Sequence, residues 1–190
     1  MAAWNLLEGI GLLSGIAGVW LTARHSVWCY PTGLLNVSIS AWIFMHQNLF
    51  ADALQQVMYF ILLIYGWLSW SGIVKDVHRE HITHSNRTEQ ISLVLVTLVA
   101  GGILGFVLKQ YTQAAYPWTD SLATAAAFSA QYLVARRKLS NWLWWIPVNL
   151  TYLVIYWQKG LILYAALSCI YLAMAIHGYK NWKHQMKFQQ

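Results

Sequence analysis

Apolar residues run along this chain in long blocks broken by short polar joints, not in the one-sided stripes of a soluble helix. Seven blocks, at residues 4 to 23, 28 to 46, 50 to 71, 91 to 108, 115 to 135, 141 to 158 and 160 to 178, each approach the ~20 residues that a helix needs to cross ~30 Å of hydrocarbon. The block from Ile91 to Leu108 has no charge at all. The pattern predicts an all-α polytopic membrane protein with seven transmembrane helices. Composition supports it: 58% of the 190 residues are hydrophobic, 9% are charged and mean hydropathy is +0.45, more apolar surface than a soluble domain of this size can hide. The first block begins without basic residues and precedes no small-residue cleavage site, so Met1 to Ala23 reads as a span and not as a signal peptide.

The blocks repeat. With residue i laid against residue i+112, Glu8 falls on Asp120, Leu21-Ala23-Arg24 on Leu133-Ala135-Arg136, Tyr59 on Tyr171, and Gly66 and Trp70 on Gly178 and Trp182. Ile43, Leu49, Ala53 and Ile64 meet Ile155, Leu161, Ala165 and Ile176 in the same register. The expected division is a three-helix repeat over 1–72, a loop and linker helix over 73–112, and a second repeat with a tail over 113–190. The odd span between them turns the second copy the same way up as the first, giving parallel repeats in a 3+1+3 order. Duplicated bundles of this kind are the usual build of carriers whose substrate sits between the halves. Two GxxxG pairs, Gly11/Gly15 and Gly101/Gly105, are expected to let helices approach closely.

Charge adds an orientation. Of the twelve Lys and Arg, Arg24, Lys75, Arg79, Arg87, Arg136, Arg137, Lys138, Lys180, Lys183 and Lys187 fall on one side of a seven-span chain, and Lys109 and Lys159 on the other. The bias predicts an outer N-terminus and a cytoplasmic C-terminus. Because the charges are scattered over short joints and a tail, a pI near 9.4 does not mark a nucleic-acid surface.

Polar groups at mid-membrane depth are costly unless they face a partner or a watery path. Asn36, Gln56, Tyr59, Gln131, Asn149, Tyr152, Ser168 and Tyr171 lie there, all amides, hydroxyls or phenols. Gln56, Tyr59, Trp67 and Trp70 fall within about 80° of one helix face, and Asn149, Tyr152 and Tyr156 share another. Such faces either bind a polar neutral surface and a flat organic cation, or hold the bundle together. Trp67 and Trp70 also fit an interfacial belt, as do Trp4, Trp28, Trp118, Trp142, Trp144 and Trp145. No acid or base of the common carboxylate type lies near the midplane, which points to a uniporter. Glu8, Asp52 and Asp120 fall toward the outer ends, where they could gather a cation or serve as ordinary helix N-terminal acids. Pro31 and Pro147 are candidate kinks in roughly corresponding spans.

Tyr65-Gly66-Trp67-Leu68-Ser69-Trp70, with Asn149-Leu150-Thr151-Tyr152 and Gln131-Tyr132-Leu133-Val134-Ala135-Arg136 before Asn141-Trp142, resembles the WxxW, NxxY and surrounding pattern of the PnuC family of bacterial vitamin B3 transporters. The resemblance covers essentially the whole chain. It implies a SWEET-like architecture, facilitated diffusion of nicotinamide riboside trapped by phosphorylation in the cytoplasm, a homotrimer in the bacterial inner membrane, and no cofactor. The second copy has Tyr179-Lys180-Asn181-Trp182 where the first has WxxW, so that binding role is carried only to Trp67 and Trp70. The expected substrate-binding set is Asn36, Gln56, Tyr59, Trp67, Trp70, Gln131, Asn149, Tyr152 and Tyr171.

Other classes find less support. His78, His81 and His84 recur every third residue but sit in a solvated charged stretch, so no metal site is expected. Cys29 and Cys169 read as packing thiols. No nucleotide loop, zinc-protease motif or nucleophile elbow is present, and the last span lacks the lysine a retinal protein needs. A carrier of another aromatic vitamin or nucleoside, such as thiamine or a deoxynucleoside, remains open on residue chemistry, as does an intramembrane enzyme or scaffold.

Overall fold

The structure is a computed structural model; it describes residues 2–46, 50–73, 81–112 and 116–188, with side chains throughout except at 2–5, 8, 50 and 51. The described residues form seven helices: α1 (Ala2–Ala23), α2 (Cys29–His46), α3 (Phe50–Trp70), α4 (Arg87–Tyr111), α5 (Pro117–Ala135), α6 (Asn141–Gln158) and α7 (Ile162–Phe188). Each overlaps one of the seven apolar blocks, with α4 and α7 extending beyond theirs. The helices at 52–70, 87–111 and 162–188 are individually long and apolar enough to cross a membrane, and α1 carries an apolar stretch from Gly9 to Ala23. The other three, α2, α5 and α6, are 18 or 19 residues long and carry more amides and hydroxyls for their length.

Six helices close into a ring. α1 packs on α2, α2 on α3, α3 on α5, α5 on α6, α6 on α7, and α7 returns to α1. α4 stands outside the ring against α5, where Gly101 and Gly105 bring its backbone onto Leu122 and Trp118 and a buried Thr97–Ser129 hydroxyl pair adds a 2.8 Å hydrogen bond. The partner of that GxxxG is thus the first helix of the second half. Its other face, including Val94, Leu95, Val99 and Ile103, is exposed. Gly11 of the other GxxxG meets Ile39 on α2, and Gly15 meets Asn36 and Tyr171.

Local chemistry sets the helix ends. Asn86 caps α4 by accepting from the Glu89 N–H at 2.6 Å, leaving fewer orphan donors in the first turn. α1 and α5 end in the same way. His25 takes φ 58° and Arg137 φ 50°; the Ser26 N–H bonds the Leu21 carbonyl and the Lys138 N–H the Leu133 carbonyl, 3.0 and 2.9 Å. This is the six-to-one bond of a Schellman turn, built here without the glycine usually found there. The segment after residue 80 straps across the α5–α6 joint: Thr83 and Lys138 form an isolated parallel bridge, Lys138 lies 3.7 Å from Glu89, and Ile82 is buried.

Two expectations change. The last span was expected to stop at Gly178, yet α7 runs on to Phe188, because Gly178 is not a terminator here but the seat of the Trp142 ring, and Trp182 one turn later is fully buried. Pro31 and Pro147 do not play matching parts. Pro31 lies in the first turn of α2, where a missing N–H breaks no helical bond, while Pro147 lies inside α6.

A methyl group on Gly66 would come within 2.4 Å of the Tyr30 ring, and one on Gly178 within 2.5 Å of the Trp142 ring, whereas Gly102 has nothing within 4 Å. Gly66→Ala and Gly178→Ala are expected to lower stability by about 1–3 kcal/mol each through overpacking. Gly102→Ala should be near neutral. Thermal unfolding of the three purified variants in detergent checks this; equal midpoints would contradict the packing described.

Candidate functional site

The ring encloses two adjoining cavities, of about 300 Å³ and 150 Å³, at the small end of the roughly 300–1,000 Å³ typical of ligand sites. They share Val19, Thr22, Gln131, Val134, Trp145 and Tyr171 as walls. Asn36 from α2, Gln56 and Tyr59 from α3, Gln131 from α5 and Tyr171 from α7 line the larger, and Asn149 from α6 lines the smaller. Residues expected from sequence to make a site are therefore brought together from five helices. Neither cavity has an Asp, Glu, Lys, Arg or His among the described residues of its wall. An uncharged wall of amides, phenols and the Trp142 and Trp145 indoles can hydrogen-bond carboxamide and sugar hydroxyls and face a flat cation without forming an ion pair.

The amides are held in place. Asn36 Nδ2 donates to the Gly11 carbonyl at 2.7 Å, tying α2 to α1, and Asn149 Nδ2 donates to the Trp145 carbonyl one turn back at 2.7 Å. Tyr59 packs against Phe128 of α5 with ring centroids 4.9 Å apart and planes inclined at 54°. Gly15, Asn36 and Tyr171 make a waist: a Cβ on Gly15 would lie 2.8 Å from Tyr171 Oη and 3.0 Å from Asn36 Nδ2. Beyond the waist, toward the end of the ring that carries Asp52 and Asp120, Asn36 and Tyr171 also border a third cavity of about 410 Å³ among α1, α2 and α7.

The remaining expected residues do not line these cavities. Trp70 is buried at 7% exposure at the opposite end, the basic end where α1, α3, α5 and α7 leave the ring or continue as a tail, and packs with Tyr30 and Trp182. That cluster fills the interior at the last turn of α3, so Trp67, set about 60° round the helix, is turned outward at 38% exposure. Tyr152 bonds Thr124 through its hydroxyl at 3.1 Å and stacks on Tyr156 at 5.7 Å, which in turn meets Tyr164. Ser168 donates to the Tyr164 carbonyl of its own helix at 3.0 Å.

Sequence reasoning missed Trp145, Thr22, Cys29 and Tyr30 in the cavity wall, and the plug below it. Trp142 and Trp182 are fully buried, 1% and 0% exposed, although tryptophans near span ends are usually belt anchors. Trp144 does donate at the surface, to Gln90 Oε1 at 2.9 Å. The signal was in the register: residue 142 is 112 beyond Tyr30, and Trp182 is 112 beyond Trp70. The side chains of Trp4, Glu8 and His78 lie outside the described residues, and no cluster of three metal-binding side chains occurs among those described.

Comparison with known proteins agrees with this architecture. A family model described as Nicotinamide mononucleotide transporter matches residues 5–184. The chain is 25% identical to the nicotinamide riboside transporter PnuC of Escherichia coli (strain K12), over 93% of this chain and 84% of that one. It is also 25% identical to the riboflavin/roseoflavin transporter RibM of Streptomyces davaonensis, over 91% of this chain and 82% of that protein. Among solved structures, a crystal structure of the vitamin B3 transporter PnuC superposes with a TM-score of 0.76 at 19% identity, covering 98% of this chain and 84% of the other. The fold is that of a polytopic helical membrane protein.

In the joint after α1, burial lowers the pKa of His25 to about 4, with Arg137 and then His81 adding repulsion. The folded protein therefore keeps this imidazole neutral, while an unfolded chain protonates it near pH 6.5. Between about 6.5 and 4 the unfolded state binds more protons, so this group's contribution to stability is lost as pH falls through that window. His25→Gly removes the titration and suits the positive φ. Its unfolding midpoint is expected to fall less than wild type's between pH 7 and pH 5; parallel decreases would contradict the assignment.

Proposed function

The chain belongs to the nicotinamide mononucleotide transporter family, and from that membership we propose that it carries nicotinamide riboside across the membrane intact and down its gradient. Phosphorylation inside the cell then holds what has entered. The single observation that carries the reading is the uncharged cavity, with Asn36, Gln56, Tyr59, Gln131, Asn149 and Tyr171 around it. Nicotinamide riboside has a flat pyridinium, a carboxamide and ribose hydroxyls. The phenols and the Trp145 indole suit the ring, and the amides suit the rest. A wall without carboxylates also supports uniport, since proton and sodium coupling sites in carriers are commonly built from them.

The proposal extends to how the protein sits and moves. The ten-to-two division of basic residues supports an inner-membrane carrier with its N-terminus outside and its basic end in the cytoplasm. The closed six-helix ring with α4 outside supports two parallel three-helix units, 1–72 and 113–190, with 73–112 as their link, in the SWEET-like manner. A homotrimer is proposed on the family resemblance.

Calorimetric titration of the purified protein with nicotinamide riboside, thiamine, riboflavin and deoxynucleosides tests the substrate. Binding of nicotinamide riboside in preference to the others is expected; preferential heat from riboflavin or a deoxynucleoside would replace the reading. Gln131→Leu and Asn149→Leu should each weaken binding by roughly tenfold, as loss of a buried hydrogen bond implies. Trp67→Phe should stay within about twofold of wild type. In proteoliposomes, uptake down an inward substrate gradient should persist after proton and sodium gradients are collapsed.

A further inference from the structure

The last carbonyls of a helix have no partner farther along the chain, and in a membrane interior water does not readily supply one. At the basic end of the ring, carbonyls in the last turns of α1 and α5 accept from the opposite half; those of Thr22 and Val134 also receive the His25 and Arg137 N–H of their own turns, each at 2.9 Å. Trp70 Nε1 lies 3.2 Å from both the Val134 and Ala135 carbonyls, and Trp182 Nε1 donates to the Thr22 carbonyl at 2.9 Å. Beside them, Ser69 Oγ donates to the Ala135 carbonyl at 3.1 Å, and Asn181 Nδ2 to the Ala23 carbonyl at 2.6 Å.

Every member of one set stands 112 residues from its counterpart in the other. The symmetry extends to the rings. Tyr30 meets Trp70 edge-on at 5.2 Å and 83°, and Trp142 meets Trp182 at 5.5 Å and 88°. Here the match is partial: Arg137 lies 4.7 Å over the Trp70 ring, whereas its counterpart His25 meets both rings, Trp70 at 4.8 Å and Trp182 at 5.4 Å. The two indoles lie 6.0 Å apart. Sequence identity in the latch is confined to Gly66/Gly178, Trp70/Trp182 and Ala23/Ala135. Ser against Asn and Tyr against Trp preserve the contact by different chemistry.

We propose that these paired bonds are a two-sided latch that shuts the carrier at its basic end, and that they release together to let substrate out of the cavity. Tyr30 Oη and Trp142 Nε1, which are counterparts, are both buried with no hydrogen-bond partner among the described residues, and both αL positions are filled by residues other than glycine. A seal that is well packed yet leaves buried polar groups unpaired has a competing open arrangement within reach. The inference rests on the carrier reading but requires no particular substrate.

Cys29 is a native reporter: it is buried and lines the larger cavity beside Tyr30 of the latch, while Cys169 is exposed. In a Cys169→Ser background, alkylation of Cys29 by a membrane-impermeant maleimide is measured without substrate in membrane vesicles of each orientation. Trp70→Phe and Trp182→Phe keep a ring and remove the donor. Each is expected to speed labelling from the basic side by roughly fivefold, the equivalent of one net hydrogen bond. The double variant should multiply these effects, because one opening breaks both sides; effects that merely add would mean two independent leaks and overturn the latch. Ser69→Ala and Asn181→Ala, which leave every ring in place, serve where an indole variant does not fold. Unchanged labelling in all folded variants, or equal acceleration from both faces, would also overturn it. Acceleration confined to the other face would leave the latch standing and reverse the proposed orientation.

Discussion

The ring depends on how two helices are allowed to end. α1 and α5 finish inside the molecule and not in water, and their terminal carbonyls are bonded by side chains of α7 and α3. That requirement fixes several others. The donor must be long and rigid enough to reach across, which an indole is; the turn must reverse at once, which the His25 and Arg137 conformations achieve; and the neighbouring ring must lie flat on a helix without side-chain bulk, which Gly66 and Gly178 permit.

Above that floor the interior changes character. The wall has no charge among its described residues, so the binding of a cation there relies on ring faces and amide dipoles. Such contacts are individually modest, which suits a carrier: a substrate that must leave again gains little from an ion pair in a medium of low dielectric. Asp52 and Asp120 sit in the first turns of α3 and α5, at the far end from the plug, where negative charge also suits helix N-termini.

Much of this was legible in the sequence because the bilayer enforces it. Length and apolarity located the helices, and the cost of polar atoms at depth singled out Asn36, Gln56, Tyr59, Gln131, Asn149 and Tyr171, which line the two adjoining cavities, along with Tyr152 and Ser168, which do not. Tryptophan was harder. The indole is equally at home at a membrane surface and in a buried contact, and position near a span end does not separate the two: Trp28 is exposed, Trp142 fully buried, Trp145 in the cavity wall. Helical periodicity placed Trp67 and Trp70 with Gln56 and Tyr59, but periodicity reports direction round an axis and not depth along it. The interior at Trp70 is already full. The continuation of α7 was hidden for a related reason, since Gly178 looks like a stop until the ring that occupies its place is known.

Tyr59 and Trp70 stand on one unbroken helix, and so do Tyr171 and Trp182. In both cases eleven residues separate them, about 16 Å along the axis. One end of each rod bears a phenol in the cavity wall, the other an indole in the floor. A helix is stiff over three turns, so neither rod can swing its indole clear without displacing the phenol that borders the cavity. The fold therefore contains two levers, and the shape of the chamber and the state of its exit are one mechanical variable.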